Sequence, residues 1–400
     1  MKPKRTNIKI KHHKYNLYNR RKSRGKQALA IILTVVIAAA LAVIGYGAGR
    51  PLVEYLTGKN SETSESTTSW TPPVTSGEPE SDEQADGENS SVSSETSGPE
   101  QTAAEIPLMY VLPQDVVYDA QTLKDAAAAA KNAGYSGIAV TAKDSVGNIL
   151  YKSEIAGIRD GATVTGTLSA KEMCRIIEAE GLVPAARFST LLDRSNPNYI
   201  AGGYMISDGS GSWLDAAPAN GGKKWFSPFG SATAEFMKNI AEELSSAGFK
   251  YIIAADTMYP DFHASDINTY LYDLPLTDAE KRTDALWSVL DAAKSGAEDN
   301  GAEFAVQLSA DALFSDDRQA TDAECADDRS KLHEASLLIS YASDGKTSAY
   351  TAAKSFTGRM GAQFSGQKYS VLIDGSAVSE NDISEARRAF AEAEIAVYVK

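Results

Sequence analysis

From Ile106 onward, short apolar runs alternate with longer stretches of helical periodicity. Runs that are apolar on both faces read as buried strands of a parallel sheet. The pattern predicts strands over Ile106–Leu112, Ser136–Ala142, Leu182–Phe188, Tyr251–Ala255, Glu303–Ser309, Ser336–Tyr341, Ser370–Ile373 and Ile395–Val399. Between them it predicts helices over Ala120–Ala133, Ala232–Ala247, Ala349–Met360 and Ser379–Ala393. Two more open on capping boxes, Ser169 with Glu172 and Thr277 with Glu280, and end before Gly181 and Gly301. A helix–Gly–strand unit recurs at Gly134, Gly181, Gly248 and Gly301. Strict alternation implies a parallel sheet with right-handed crossovers. Eight strands, with no phosphate-binding glycine fingerprint after the first, favour an α/β (β/α)8 TIM barrel over an open doubly wound sheet. The barrel is expected over residues 106–400.

The chain before the barrel has a different texture. Ala28 to Gly49 is apolar apart from Thr34, long enough to cross a bilayer core. Residues 1–27 carry many Lys and Arg and no acid, which places that side in the cytoplasm and everything after Arg50 outside. A cleaved signal peptide is the alternative, but the apolar core exceeds a usual signal length, favouring an uncleaved anchor. Residues 50–105 form a linker whose greater part is rich in Ser, Thr, Glu, Gly and Pro. It buries too little surface to fold and reads as a disordered, acidic stalk.

Charge narrows the function. The net charge is −14 although residues 1–27 are basic, and residues 60–123 contain no Lys or Arg, so the chain after the head is more acidic than that total and is not expected to present a nucleic-acid surface. The two cysteines, Cys174 and Cys325, lack the spacing of a zinc or dithiol motif. They read either as a single disulfide or as two buried thiols. No cofactor or metal is called for.

In a barrel the C-terminal strand ends form the reactive rim. Those ends present Gln114, Asp115, Lys143, Asp144, Arg187, Asp256, Gln307, Ser309, Asp311, Tyr341, Ser343 and Asp374. Asp256 closes the apolar run from Tyr251, and Asp311 follows the next strand. Paired carboxylates on adjacent strands are what hydrolysis of a glycosidic bond requires, one to donate a proton and one to attack or to activate water. The third βα loop, Ser189 to Gly230, is far longer than usual and carries Tyr199, Tyr204, Trp213, Trp225, Phe226 and Phe229. These aromatics fit either a stacking wall for sugar rings or the loop's own small core.

Several stretches resemble one family. They are Ile138 to Asp144 with Gly147 and Tyr151, Ala186 to Phe188 with Asp193, Trp213 to Asp215, Trp225 to Pro228, Ala247 to Asp256 with Tyr259 and Pro260, and Leu308 to Asp311. Together they resemble the DUF4015-type glycoside hydrolases, themselves similar to alpha-amylase-like barrels. The sequence departs from that pattern at Ser145, at Met258 and after Asp311. The resemblance implies a carbohydrate substrate. Asp256 is then the nucleophile or electrostatic stabiliser and Asp311 the general acid/base. Lys143, Asp144 and Arg187 position hydroxyls, while Trp213, Trp225, Tyr259 and Tyr341 line the substrate. The expected protein is a membrane-anchored, extracellular glycoside hydrolase acting on polysaccharide or cell-wall glycan. Its alternatives are a barrel that binds glycan without turnover and a structural surface protein whose basic head recruits a partner.

Overall fold

The computed structural model describes residues 107–113, 119–194, 198–207, 211–314, 323–343, 345–375 and 378–400. The basic head, the span over 28–49, the linker, Gln114 and Asp115 lie outside them. Among the described residues no helix is long and apolar enough to cross a membrane.

Eight parallel strands close into a barrel in chain order. They are β1 Leu108–Val111, β2 Gly137–Lys143, β3 Val183–Ser189, β4 Tyr251–Ala255, β5 Glu303–Ser309, β6 Ser336–Tyr341, β7 Tyr369–Ile373 and β8 Val397–Val399. The seam joins β1 to β8, with Met109 paired to Tyr398. The crossovers carry α1 Ala120–Asn132, α2 Ala156–Gly161, α3 Ala170–Ala179, α4 Ser231–Ser246, α5 Ala279–Glu298, α6 Ala310–Phe314, α7 Arg329–Glu334, α8 Ala349–Gln363 and α9 Glu380–Ala391.

Local chemistry explains these boundaries. Asp119 accepts from the backbone N–H groups of Gln121 and Thr122 and starts α1. Ser169 and Glu172 form the expected reciprocal box at α3. At α5 the cap is Asp278, one residue later than the predicted Thr277, because the Asp278 carboxylate reaches the Lys281 N–H at 3.2 Å. After the helices the chain reverses through left-handed glycines such as Gly134 (φ 80°) and Gly248 (φ 116°), where a side chain would be strained. Strand eight begins at Val397 rather than Ile395. Glu394 is left-handed (φ 57°), and the Ile395 N–H still bonds back to the Phe390 carbonyl of α9.

Two apolar layers result. Met109, Val111, Ala139, Ala185, Ile253, Leu338, Leu372 and Tyr398 fill the barrel interior. A larger layer joins the outer strand faces to the helices. The cysteines are both buried and form no disulfide, and burial pushes the Cys174 thiol up to about 12.

Helices α4 and α5 pack tightly at Gly296. A Cβ there would stand 2.4 Å from the Lys238 carbonyl, which is backbone and cannot swing away. Alanine normally favours a helix over glycine by about 1 kcal/mol. Here overpacking wins, and Gly296→Ala is expected to destabilise the barrel by about 1–3 kcal/mol, read as a lower Tm.

Candidate active site at the mouth of the barrel

The inward parity of β3 alternates Ala185 with Arg187, and that of β5 alternates Ala305 with Gln307. At the mouth Arg187 Nε donates to Gln307 Oε1 at 2.7 Å, and Gln307 Nε2 donates to Ser340 Oγ at 3.2 Å. This polar bridge spans β3, β5 and β6. Beneath it lies a small cavity of about 60 Å³ whose walls include Leu112, Thr141, Leu372 and Lys400.

Asp256 follows β4 in a left-handed conformation (φ 55°), uncommon for a residue other than glycine. Its Oδ2 lies 3.9 Å from Arg187 Nη2 and is buried without a hydrogen-bond partner among the described residues. Burial lowers the Arg187 pKa from its ordinary value, and the Asp256 carboxylate acts against that shift. A strained residue persists only where its surroundings over-determine it. Both flanks of Asp256 are clamped. The Thr190 N–H and hydroxyl both donate to the Ala255 carbonyl, at 2.8 and 3.0 Å. The Thr190 and Thr257 hydroxyls share a 2.9 Å hydrogen bond, and the Cys325 thiol donates to the Thr257 carbonyl at 3.1 Å.

The other rim residues divide by surroundings. Asp311 is exposed on α6 and borders a cleft of about 620 Å³ with Tyr341, Ser343, Thr351 and Arg359. Tyr341 is otherwise buried, with its ring edge-on to Phe356 and Phe390. Lys143 is fully buried. Its Nζ lies 3.2 Å from Asp193 Oδ2, donates to the Leu192 carbonyl at 3.1 Å and stands 5.4 Å from the centre of the Phe226 ring. Tyr199 and Tyr204 donate to the same Asp193 carboxylate at 2.8 and 3.4 Å. Burial, then the Asp193 charge, pushes the Tyr204 phenol well above its usual range. This cluster fastens the long loop over the end of β2. Asp144 closes the turn after β2 by accepting from the Val146 and Asn148 N–H groups and the Asn148 amide.

The loop aromatics are mostly its core. Trp213 and Trp225 are 3% and 6% exposed, and Trp225 Nε1 donates to Asp215 Oδ2 at 2.9 Å. Tyr259 is buried between Phe229 and Phe262, and its hydroxyl donates to the Arg282 carbonyl. Of the residues singled out by sequence, the structure brings Arg187 to Asp256 and Asp311 to Tyr341. It holds Lys143, Asp144 and Trp225 within the packing of the loops. Gln307, Ser340 and Thr190 complete the mouth without having been assigned a role there. The inward parity of β5 was the signal for Gln307, whereas nothing in the sequence marks Thr190 as a clamp.

The fold and this rim define a (β/α)8 barrel with a charged mouth at the C-terminal ends of its strands. The chain belongs to DUF4015, described as "Putative glycosyl hydrolase domain", whose profile matches residues 110–334. No curated protein matches it. The glycoside hydrolase domain of PgaB (BpsB) from Bordetella bronchiseptica is similar in fold, at 12% identity and a TM-score of 0.51, covering 74% of this chain and 93% of that one. The catalytic domain of beta-amylase from Paenibacillus polymyxa aligns at 11% identity and a TM-score of 0.46, over 74% and 92% of the two chains. A hypothetical protein from Ruminiclostridium thermocellum aligns at 16% identity and a TM-score of 0.39, over 50% of this chain and 96% of that one.

Proposed function

We propose that the protein is a glycoside hydrolase held at the outer face of the membrane. Residues 28–49 span the bilayer with the basic head in the cytoplasm, and residues 50–105 act as a spacer. The substrate is a polysaccharide or cell-wall glycan.

The observation that carries the chemistry is Asp256. It is a clamped, left-handed carboxylate whose Oδ2 has no hydrogen-bond partner among the described residues, 3.9 Å from a guanidinium. The sealed Oδ2 faces the Arg187 guanidinium, which holds the negative charge in place, and the side chain, 21% exposed, presents the rest of the carboxylate to an electron-poor anomeric carbon. Gln307 fixes the guanidinium plane. Asp256 is the nucleophile or electrostatic stabiliser. Asp311, exposed in its cleft on the following crossover, protonates the departing oxygen. A carboxyl separation near 5–5.5 Å in the substrate complex implies retention, and about 6.5–9.5 Å implies inversion.

The test is reducing-end release from purified wall polysaccharide. Asp311→Asn is expected to lower kcat on polysaccharide by roughly a hundredfold. The loss is expected to be much smaller on aryl glycosides, whose leaving groups depart without a proton. Equal losses on both substrates remove the general-acid role, and unchanged release in both Asp311→Asn and Asp256→Asn removes the hydrolase reading.

A second reading is glycan binding without turnover. It is supported by the separate surroundings of the two carboxylates, Asp256 against Arg187 and Asp311 in the cleft beside Tyr341. Binding to the same polysaccharide with no reducing ends released distinguishes it.

A further inference from the structure

The loop after β4 carries more than Asp256. An aromatic wall continues from Tyr259 to Phe262 (ring centres 6.0 Å apart) and from Phe262 to Trp213 of the long β3 loop (5.3 Å). At its far end the two loops enclose an open cleft of about 460 Å³, lined in part by Trp213, Asp215, Asn220, His263, Asp266 and Tyr270. The Asp266–Tyr270 segment is one π-helical turn, a form common at functional sites. Ile267 packs into the main core and Leu271 is fully buried, so both ends of the turn are anchored. Tyr270 between them remains 45% exposed, and Tyr272 is 65% exposed. Of these two rings, Tyr270 lines the cleft.

We infer that this cleft is a distal glycan subsite for uncharged pyranose units, served by the same loop that carries Asp256. The inference rests on the carbohydrate reading of the barrel and adds a location and a substrate class. A pyranose presents a flat CH face to an aromatic ring and a belt of vicinal hydroxyls to planar polar groups. The exposed Tyr270 ring supplies the first, and the Asn220 amide with the Asp215 and Asp266 carboxylates supplies the second. Asp215 is already oriented, accepting from the Lys223 N–H at 2.7 Å and from Trp225 Nε1 at 2.9 Å, and Asp266 accepts from the His263 N–H at 2.9 Å. Among the described residues the cleft lining has two carboxylates and no Lys or Arg, a balance that repels uronate and phosphodiester polymers.

The experiment is calorimetric titration of the full chain in the Asp256→Asn background, with cellohexaose and chitohexaose as uncharged probes and polygalacturonate as the anionic one. The uncharged probes are expected to bind. Tyr270→Ala is expected to weaken that binding by about tenfold with Tm unchanged, and Tyr270→Phe to restore it. Asn220→Ala is expected to weaken it further. Unchanged affinity in Tyr270→Ala overturns the proposal. So does polygalacturonate binding as tightly as the neutral probes, or no binding of either neutral probe at millimolar concentration. Reducing-end release by the unmodified chain, measured in parallel, separates this from the hydrolase reading. Release that depends on Asp256, beside Tyr270-independent binding, removes the subsite alone. Tyr270-dependent binding without release supports the subsite and removes hydrolysis alone.

Discussion

Asp256→Asn is expected to lose glycan hydrolysis by on the order of a thousandfold while unfolding at nearly the same temperature as the unmodified protein. Asparagine keeps the shape of the side chain and tolerates the left-handed backbone, so it removes little besides the charge. The buried Oδ2 has no hydrogen-bond partner among the described residues to lose, and the ion pair to Arg187 is long at 3.9 Å. Asp256→Gly relieves the positive φ and is expected to be at least as stable as the unmodified chain. Asp256→Ala puts a Cβ in the same conformation with no polar group to offset it and is expected to cost about 1 kcal/mol. The stability order is therefore Gly at or above Asp and Asn, with Ala lowest, while all three variants are inactive. Thermal unfolding beside reducing-end assays reads both scales. A large drop in Tm for Asp256→Asn sinks this account, because the carboxylate would then be holding the fold.

The reverse behaviour is expected at Lys143. Lys143→Met takes from the Asp193 carboxylate, buried at 0% exposure, the ammonium group 3.2 Å away. Removing one partner of a buried ion pair costs about 3–5 kcal/mol. Denaturant unfolding is expected to show that loss, and limited proteolysis is expected to cut the loop between Ser189 and Gly230 faster. Replacing both charges, Lys143→Met with Asp193→Asn, is expected to cost less than the sum of the two single changes, because the double variant removes both members of the pair at once. A single-variant loss below about 1 kcal/mol contradicts the view of this pair as the fastening of the loop.

Much of the fold was legible before any coordinates. A strand covered by helices on one face and barrel interior on the other is apolar along its length, so β2 and β4 stand out as runs. The glycines after the helices announce each reversal, as at Gly134 and Gly248. The short helices α2, α6 and α7 were not foreseen, because five or six residues are too few to show a period. The long loop was visible as a cluster of aromatics with two possible uses. Burial assigns Trp225 to the loop's own core and leaves Tyr270 and Tyr272, on the next loop, facing solvent.

The site was legible in part, and Lys143 and Asp256 show why. In sequence they are alike, a charge ending an apolar run at the rim of a strand. Sequence alone determined the alternation that builds the barrel, the end of it where strand-terminal charges collect, and the membership of Arg187, Asp256 and Asp311 in that set. Tertiary structure decided which way each charge turns. Between Thr141 and Lys143 the pairing with β3 slips, so that Thr141 stays opposite inward-facing Arg187 while Lys143 comes opposite Phe188. A one-residue slip reverses the facing of a side chain, and Lys143 is turned out of the mouth into the loop core. At Asp256 a left-handed backbone, held by Thr190 and Cys325 from distant parts of the chain, turns the carboxylate toward Arg187. Alternation is a local property that a sequence displays. A register slip and a clamped backbone depend on contacts between segments far apart in the chain, and these exist only once the barrel has closed.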